Sequence, residues 1–255
     1  MALFTDSDIS GLNELQAYDS AILEVSRIEG VDLTKKLSLA EQEIGLELQA
    51  FLLRHTHGTS SSSNGGGYSL NNVVVTTGLQ QWHSLRALGL VYGDVYNSQL
   101  NDRYLGKWKQ FVQLARNTSE LLFKTGVGVV SRPIDRAAPP VLSVTGGGGA
   151  GASFVVSVAW RNMIGERGAP SEALVKVAAD GEALVVTAVQ PPAGALAYDV
   201  YVGLSEFDMA LQNNIPVSSD ASWTMTPGGL VEGDPPGAGQ TPDRYLRLNR
   251  TLQRG

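Results

Sequence analysis

The chain contains no cysteine and only three histidines among 255 residues, and no apolar run reaches the ~18 residues that begin to suggest a membrane-spanning helix. The first absence removes disulfides, thiolate metal ligands and cysteine nucleophiles together. The N-terminus, Met1-Ala2-Leu3-Phe4-Thr5-Asp6, lacks a basic segment followed by an apolar one. The expectation is a soluble chain without a secretion signal.

Chemistry-bearing patterns are equally scarce. His55-Thr56-His57 could offer two metal ligands, but it closes a helix beside a Gly/Ser-rich stretch and has no carboxylate cluster at ligand spacing. His83 falls one residue off an apolar stripe, which predicts a helix-surface residue. Gly146-Gly147-Gly148-Gly149-Ala150-Gly151 lacks the Gly-Lys-Ser/Thr ending of a phosphate loop and precedes a strand, so a loop between strands is expected. Glu41, Glu43 and Glu47 are read as the solvated face of a helix. No Gly-x-Ser-x-Gly elbow or serine–histidine–acid constellation occurs. We therefore expect a non-enzymatic chain with no catalytic, cofactor-binding or metal-binding residues. Lys107, Lys109 and Arg116 are too few and too interspersed for a nucleic-acid groove and are read as solubilising one helix face.

What is present divides into blocks. Hydrophobic residues make up 43% of the chain, enough for a substantial core. Basic and acidic residues number 12 and 14 over residues 1–138, 3 and 10 over 139–240, and 4 and 1 over 241–255, giving net charges of −2, −7 and +3. Apolar residues at three- and four-residue steps predict a helical segment over 7–28, breakable at Gly11 and Asp19-Ser20 and ending on Gly30. Asp32 suits the N-cap of a second helix to Arg54, with Leu33, Leu37, Ala40, Ile44, Leu48 and Phe51 inward and charged residues opposite. A flexible loop is expected over Gly58–Gly67. A third helix opens at Thr77-Gly78-Leu79-Gln80 and runs through Tyr92, and a fourth spans Gln99–Lys124. Gly89, Gly93 and Gly106 within them suggest close helix contact.

The period changes after Gly126. Pro133, Pro139 and Pro140 mark a linker, and β-branched runs follow at Val141–Thr145, Ser153–Arg161, Ala173–Ala178, Ala183–Val189, Ala197–Gly203 and Ser222–Thr226. Their alternation predicts strands with one face on a core. Beyond a Pro- and Gly-rich spacer, Tyr245, Leu246 and Leu248 interleave with Arg244, Arg247, Arg250 and Arg254. These seven residues are the candidate partner-docking set. The fold class expected is α+β and multidomain: a helical bundle over 1–135, an antiparallel β-sandwich over 136–240, and an extended basic docking tail over 241–255.

Four segments carry a resemblance: Leu37–Gly45, Asn72–Thr76 before Leu79, Asn97–Trp108, and Gly126–Val129. Together they resemble the helical core of head-to-tail connector, or adaptor, proteins of tailed bacteriophages. The β-rich half is similar to immunoglobulin-like or fibronectin type III modules, through Gly168 with Pro170-Ser171-Glu172 and through Ala197–Tyr201. The resemblance implies a structural virion protein in the phage neck. It would form a ring, commonly of twelve copies, below the portal protein and above a stopper or tail-completion protein. DNA would pass through without specific binding, no membrane would be involved, and the C-terminal extension would reach the portal. Alternatives are a head-closure or tail-completion protein or, in another class, a carbohydrate-binding or adhesion module using Trp223 and Tyr201.

Overall fold

The computed structural model describes residues 1–6, 8–56, 67–99 and 102–248. The chain forms two compact units: residues 7–131 with 242–255, and residues 1–6 with 132–241. Both ends thus belong to the unit other than the one their sequence neighbours build. The first six residues, read above with the helices, group with the strands, and the C-terminal segment groups with the helices.

In the helical unit, α1 (Leu12–Tyr18), α2 (Ile22–Glu29), α3 (Leu33–Thr56), α4 (Thr77–Gln99) and α5 (Asp102–Thr125) are the α-helices among the described residues. The break between α1 and α2 falls at Asp19, and Gly30 closes α2 with a left-handed φ of 68°. The Asp32 carboxylate accepts the Lys35 N–H at 3.0 Å, an N-cap bond satisfying one orphan donor of α3. The loop expected over Gly58–Gly67 lies outside the described residues except for Gly67.

Helix α4 occupies the middle of the bundle. Leu79, Trp82, His83, Ser84, Leu85, Ala87, Leu88, Val91, Tyr92 and Val95 are buried at positions all around it, as befits a helix packed against both α3 and α5. His83 is therefore a core residue, contrary to the surface placement expected. Glycines let α5 come close: a Cβ on Gly93 would stand 2.9 Å from the Trp108 Nε1 and one on Gly89 3.4 Å from Val112. Gly106 has nothing within 4 Å and plays no such part. Aromatic pairs fill the seams, with Tyr92 stacked on Phe111 at 5.6 Å and Phe51 against Phe123 at 4.9 Å.

The outward face of α3 also departs from expectation. Two of its charges are drawn sideways onto α4, Lys36 to Asp94 at 2.8 Å and Glu43 to Arg86 at 2.6 Å. The exposed positions opposite Ala40, Ile44 and Leu48 hold Leu39, Leu46 and Leu53.

In the second unit, β2 (Val141–Gly146), β5 (Glu182–Thr187) and β9 (Trp223–Thr224) form one antiparallel sheet. A second is ordered β4 (Leu174–Ala178), β3 (Ala152–Asn162), β6 (Ala195–Gly203) and β7 (Ala210–Leu211), with β8 (Val217–Ser218) also on β6. One buried cluster draws Phe154, Val156, Val158 and Trp160 from β3, Tyr198, Val200 and Val202 from β6, and Leu184 and Val186 from β5. The central strands are not half-exposed as their alternation suggested. Residues 154–160 of β3 and 198–203 of β6 are buried on both faces. The second face holds polar residues: Ser157, Asp199 and Tyr201. Gly146–Gly151 joins β2 to β3, as expected.

Candidate functional site

The docking residues build upward from a short strand. β1 (Val127–Val129) follows α5 directly, and β10 (Arg244–Leu246) returns to pair with it antiparallel, with Gly128 opposite Tyr245. Val73 bridges the other edge of β1 at Val129, and the Val74 N–H donates to the Gly128 carbonyl at 3.0 Å. Ser131 N–H donates to the Asp243 carboxylate at 2.8 Å, fixing where the returning strand begins. Gly128 of β1 and Gly126 just before it are required for this approach. A Cβ at Gly128 would lie 2.7 Å from the Pro242 ring, and Gly126 has a φ of +125° with Tyr245 packed where its Cβ would be.

Beyond β10, the Arg247 guanidinium donates from Nε to the Thr125 carbonyl at 2.8 Å, supplying a helix C-terminus with a cation. The Leu248 N–H donates to the Phe123 carbonyl at 3.0 Å. Leu248 thereby reaches a groove of about 1050 Å³ lined by Glu47 of α3 and by Arg116, Ser119, Glu120, Phe123 and Lys124 of α5. Phe51, Ala50 and Arg54 of α3 line an adjoining hollow of about 250 Å³.

Of the seven docking candidates, Arg244, Tyr245, Leu246, Arg247 and Leu248 therefore come together in one segment, β10 and the two residues after it, laid on the helical unit. Arg244, Tyr245, Arg247 and Leu248 remain exposed and Leu246 is partly covered. Arg250 and Arg254 lie outside the described residues. The interleaved pattern is that of an edge strand, with backbone groups satisfied along β1 and basic and aromatic side chains left in water.

Three buried polar centres carried little signal in the sequence. In the helical unit, the Asp19 carboxylate accepts from Lys107 Nζ at 2.6 Å and from the Tyr92 hydroxyl. Burial works to raise the Asp19 pKa, but the bonds from Lys107, Tyr92 and the Ala21 N–H outweigh it and hold it below the ordinary carboxylate value. Burial and the Asp19 carboxylate together push the Tyr92 phenol far up. Lys107, read above as a solubilising residue, is thus the cation of an interior pair.

His83 is held by two contacts: its Nε2 lies 3.0 Å from the Leu37 carbonyl and its Nδ1 2.5 Å from Ser10 Oγ. Only an Nε2–H tautomer satisfies both, with Ser10 donating to Nδ1. Burial lowers the His83 pKa, against the opposing pull of the Leu37 carbonyl and Asp8. A serine and a histidine in contact do not make a nucleophile here, because both are buried and the second ring nitrogen faces a backbone carbonyl.

In the β unit, Asp199 is fully buried and its Oδ2 accepts from Arg161 Nε and Arg167 Nε, each at 2.7 Å. Asn213 completes the surroundings, its Oδ1 accepting the Val200 N–H at 2.7 Å. Tyr201, named for sugar stacking, is buried on the same sheet face and offers no ring to solvent, while Trp223 is half-buried against the core.

His55 packs with its ring tilted against Phe51, 4.6 Å between centres, His57 lies outside the described residues, and no three His, Asp or Glu converge among the described residues in a way that could hold a metal ion. No described helix is long and apolar enough to cross a membrane. No protein-family model, curated protein or solved structure matches the chain.

Proposed function

We propose that this chain is a structural, non-enzymatic virion protein, a head-to-tail adaptor that forms a ring under the portal in the neck of a tailed bacteriophage. On this reading the helical unit surrounds the DNA channel and the C-terminal segment grips the portal. The β unit is an immunoglobulin-like or fibronectin type III-like sandwich facing outward or toward the stopper. Two antiparallel sheets sharing one cluster around Trp160 and Tyr198 support the sandwich assignment.

The observation that carries the reading is the C-terminal strand itself. Residues 244–246 need only three register positions on β1 to take an ordered conformation, and they keep Arg244, Tyr245 and Arg247 exposed. A short basic and aromatic strand of this kind suits a protein partner that offers an acidic surface or a second sheet edge. The acidic β unit and the near-neutral helical unit give a phosphate backbone little to hold, in keeping with DNA that passes without binding.

Electron-microscopic class averages of the protein mixed with portal-bearing, DNA-filled capsids test the proposal. Rings at the portal vertex are expected, and their loss in an Arg244→Glu, Tyr245→Ser variant with an unchanged thermal melt would assign attachment to the C-terminal segment. Capsids that remain bare at saturating protein would overturn the adaptor reading.

A further inference from the structure

The C-terminal strand has a second edge. The Gly128 carbonyl accepts the Val74 N–H at 3.0 Å, whereas the next carbonyl, that of Val129, accepts the Asp243 N–H at 3.1 Å. Successive residues of β1 thus turn their backbone groups to opposite sides, and Val127 and Val129 are the ones that face β10. Their register partners, Leu246 and Arg244, face β1 in return. Tyr245, opposite Gly128, is left with its N–H and C=O directed away from β1. Among the described residues no strand lies on that side, and neither group has a hydrogen-bond partner.

This open edge runs into the groove described above. Arg247 and Leu248, the two residues after β10, belong to its lining, and α5 contributes from Arg116 to Lys124, about 12 Å at the helical rise. Its floor is apolar: Phe51 and Phe123, in ring contact, and Leu248, 45% exposed. Arg54, Arg116, Lys124 and Arg247 stand around it against Glu47 and Glu120, and Glu120 is already bridged to Arg116 and Lys124. Arg244 adds a cation beside the edge, where the Asp243 carboxylate is engaged by the Ser131 N–H. Edge and groove together therefore carry a surplus of positive charge over an aromatic floor.

An open strand edge is completed by an extended backbone. The β10 of a second copy would bring its own arginines against these, and like charges across a strand pair repel. A phosphate backbone can accept from the Tyr245 N–H but has nothing to donate to its C=O. An extended peptide bearing carboxylates answers the N–H, the C=O and the basic rim at once. We propose that β10 and the groove beside it bind an acidic, extended segment of a partner protein. The segment adds as a strand along the outer edge at Tyr245 and sets an apolar side chain on Phe123 and Leu248. That this partner is the portal protein rests on the adaptor reading; the chemistry of the segment does not.

Selection of a displayed library of short random peptides on the full-length protein tests this, with the enriched sequences synthesised and titrated by fluorescence anisotropy. Peptides that alternate carboxylates with β-branched residues and carry one bulky apolar residue are expected. Methylating their backbone nitrogens one at a time should weaken binding at every second position, because only one edge of an added strand is bonded. On the protein, Tyr245→Pro removes the outward N–H and spares the bonds to β1, and Arg54→Glu with Lys124→Glu reverses the rim. With unchanged thermal melts, each is expected to weaken binding about tenfold. Where Tyr245→Pro shifts the melt, the methylation series tests the same bond from the peptide side. No enrichment, tolerance of methylation throughout, or equal binding to either folded variant would overturn the proposal. So would a single-stranded oligonucleotide that binds and is lost on rim reversal while no peptide is enriched. Rings at the portal vertex without peptide enrichment would overturn this inference alone and leave the adaptor reading standing.

Discussion

Among the described residues each unit buries one carboxylate, and the two are secured differently. Asp199 of the β unit is fully enclosed and is shared by two guanidinium groups, themselves only 21% and 33% exposed. Asp19 of the helical unit sits nearer the surface, and its cation, Lys107, is 42% exposed. A β-strand has neighbours on two edges and two faces, so a charge on a central strand meets water only through groups brought to it. A helix–helix seam runs out into solvent, and Lys107 lies at its mouth with its ammonium 5.0 Å from the centre of the Tyr92 ring and its side chain partly in water. Enclosure makes an ion pair costly to break, whereas partial exposure makes it replaceable.

The largest effect should come from Asp199→Ala, which strands two partly buried arginines. We expect a loss of about 3–5 kcal/mol in urea unfolding, with the near-ultraviolet signal of Trp160 and Tyr198 collapsing first. Asp19→Ala should cost less, about 2 kcal/mol, since Lys107 can turn to water and Tyr92 loses one charged partner. A ranking in the reverse order would break the comparison drawn above.

Acidification separates the helical contributions. His83 has a lowered folded pKa, so its contribution is complete above its unfolded value of 6.5 and declines as the pH falls below it. Asp19 also has a lowered folded pKa, so its contribution holds above 3.8 and is lost only as the pH falls further. Urea midpoints measured from pH 8 to pH 3 should show two successive declines, the first abolished by His83→Gln and the second by Asp19→Asn. The smallest effect is expected from Arg244→Ala, whose exposed side chain reaches only Tyr68 at 3.5 Å. Its unfolding free energy should stay within about 0.5 kcal/mol of the unaltered protein.

The helices and main strands were legible because they obey one period at a time. Ala40, Ile44 and Leu48 mark the inner face of α3, and residues 154–160 alternate along β3. The errors cluster where an element is covered on more than one side. His83 stands off the stripe of α4, but α4 is packed by both α3 and α5, so a position off the stripe can be as buried as one on it. The same holds for Asp199, which alternation placed on the face away from the core. The leucine row of α3 was passed over because Leu33, Leu37 and Leu48 already supplied the inner face, and a second apolar period on one helix has meaning only once the first is satisfied. The alternating arginines and apolar residues of β10 stood out in the sequence, but not the strand it pairs with, since Asp243 and Ser131 meet across 112 positions of intervening chain.

That distance has a consequence during synthesis. A ribosome adding roughly 5–20 residues per second completes the helices and β1 on the order of ten seconds before residues 244–246 emerge. Throughout that interval the free edge of β1 is vacant in every nascent chain, while finished molecules nearby carry the strand that fits it. In a cell making many copies on neighbouring ribosomes, the order of arrival therefore decides whose strand closes whose bundle. Exchange between copies is open at birth and becomes costlier once each chain has closed its own.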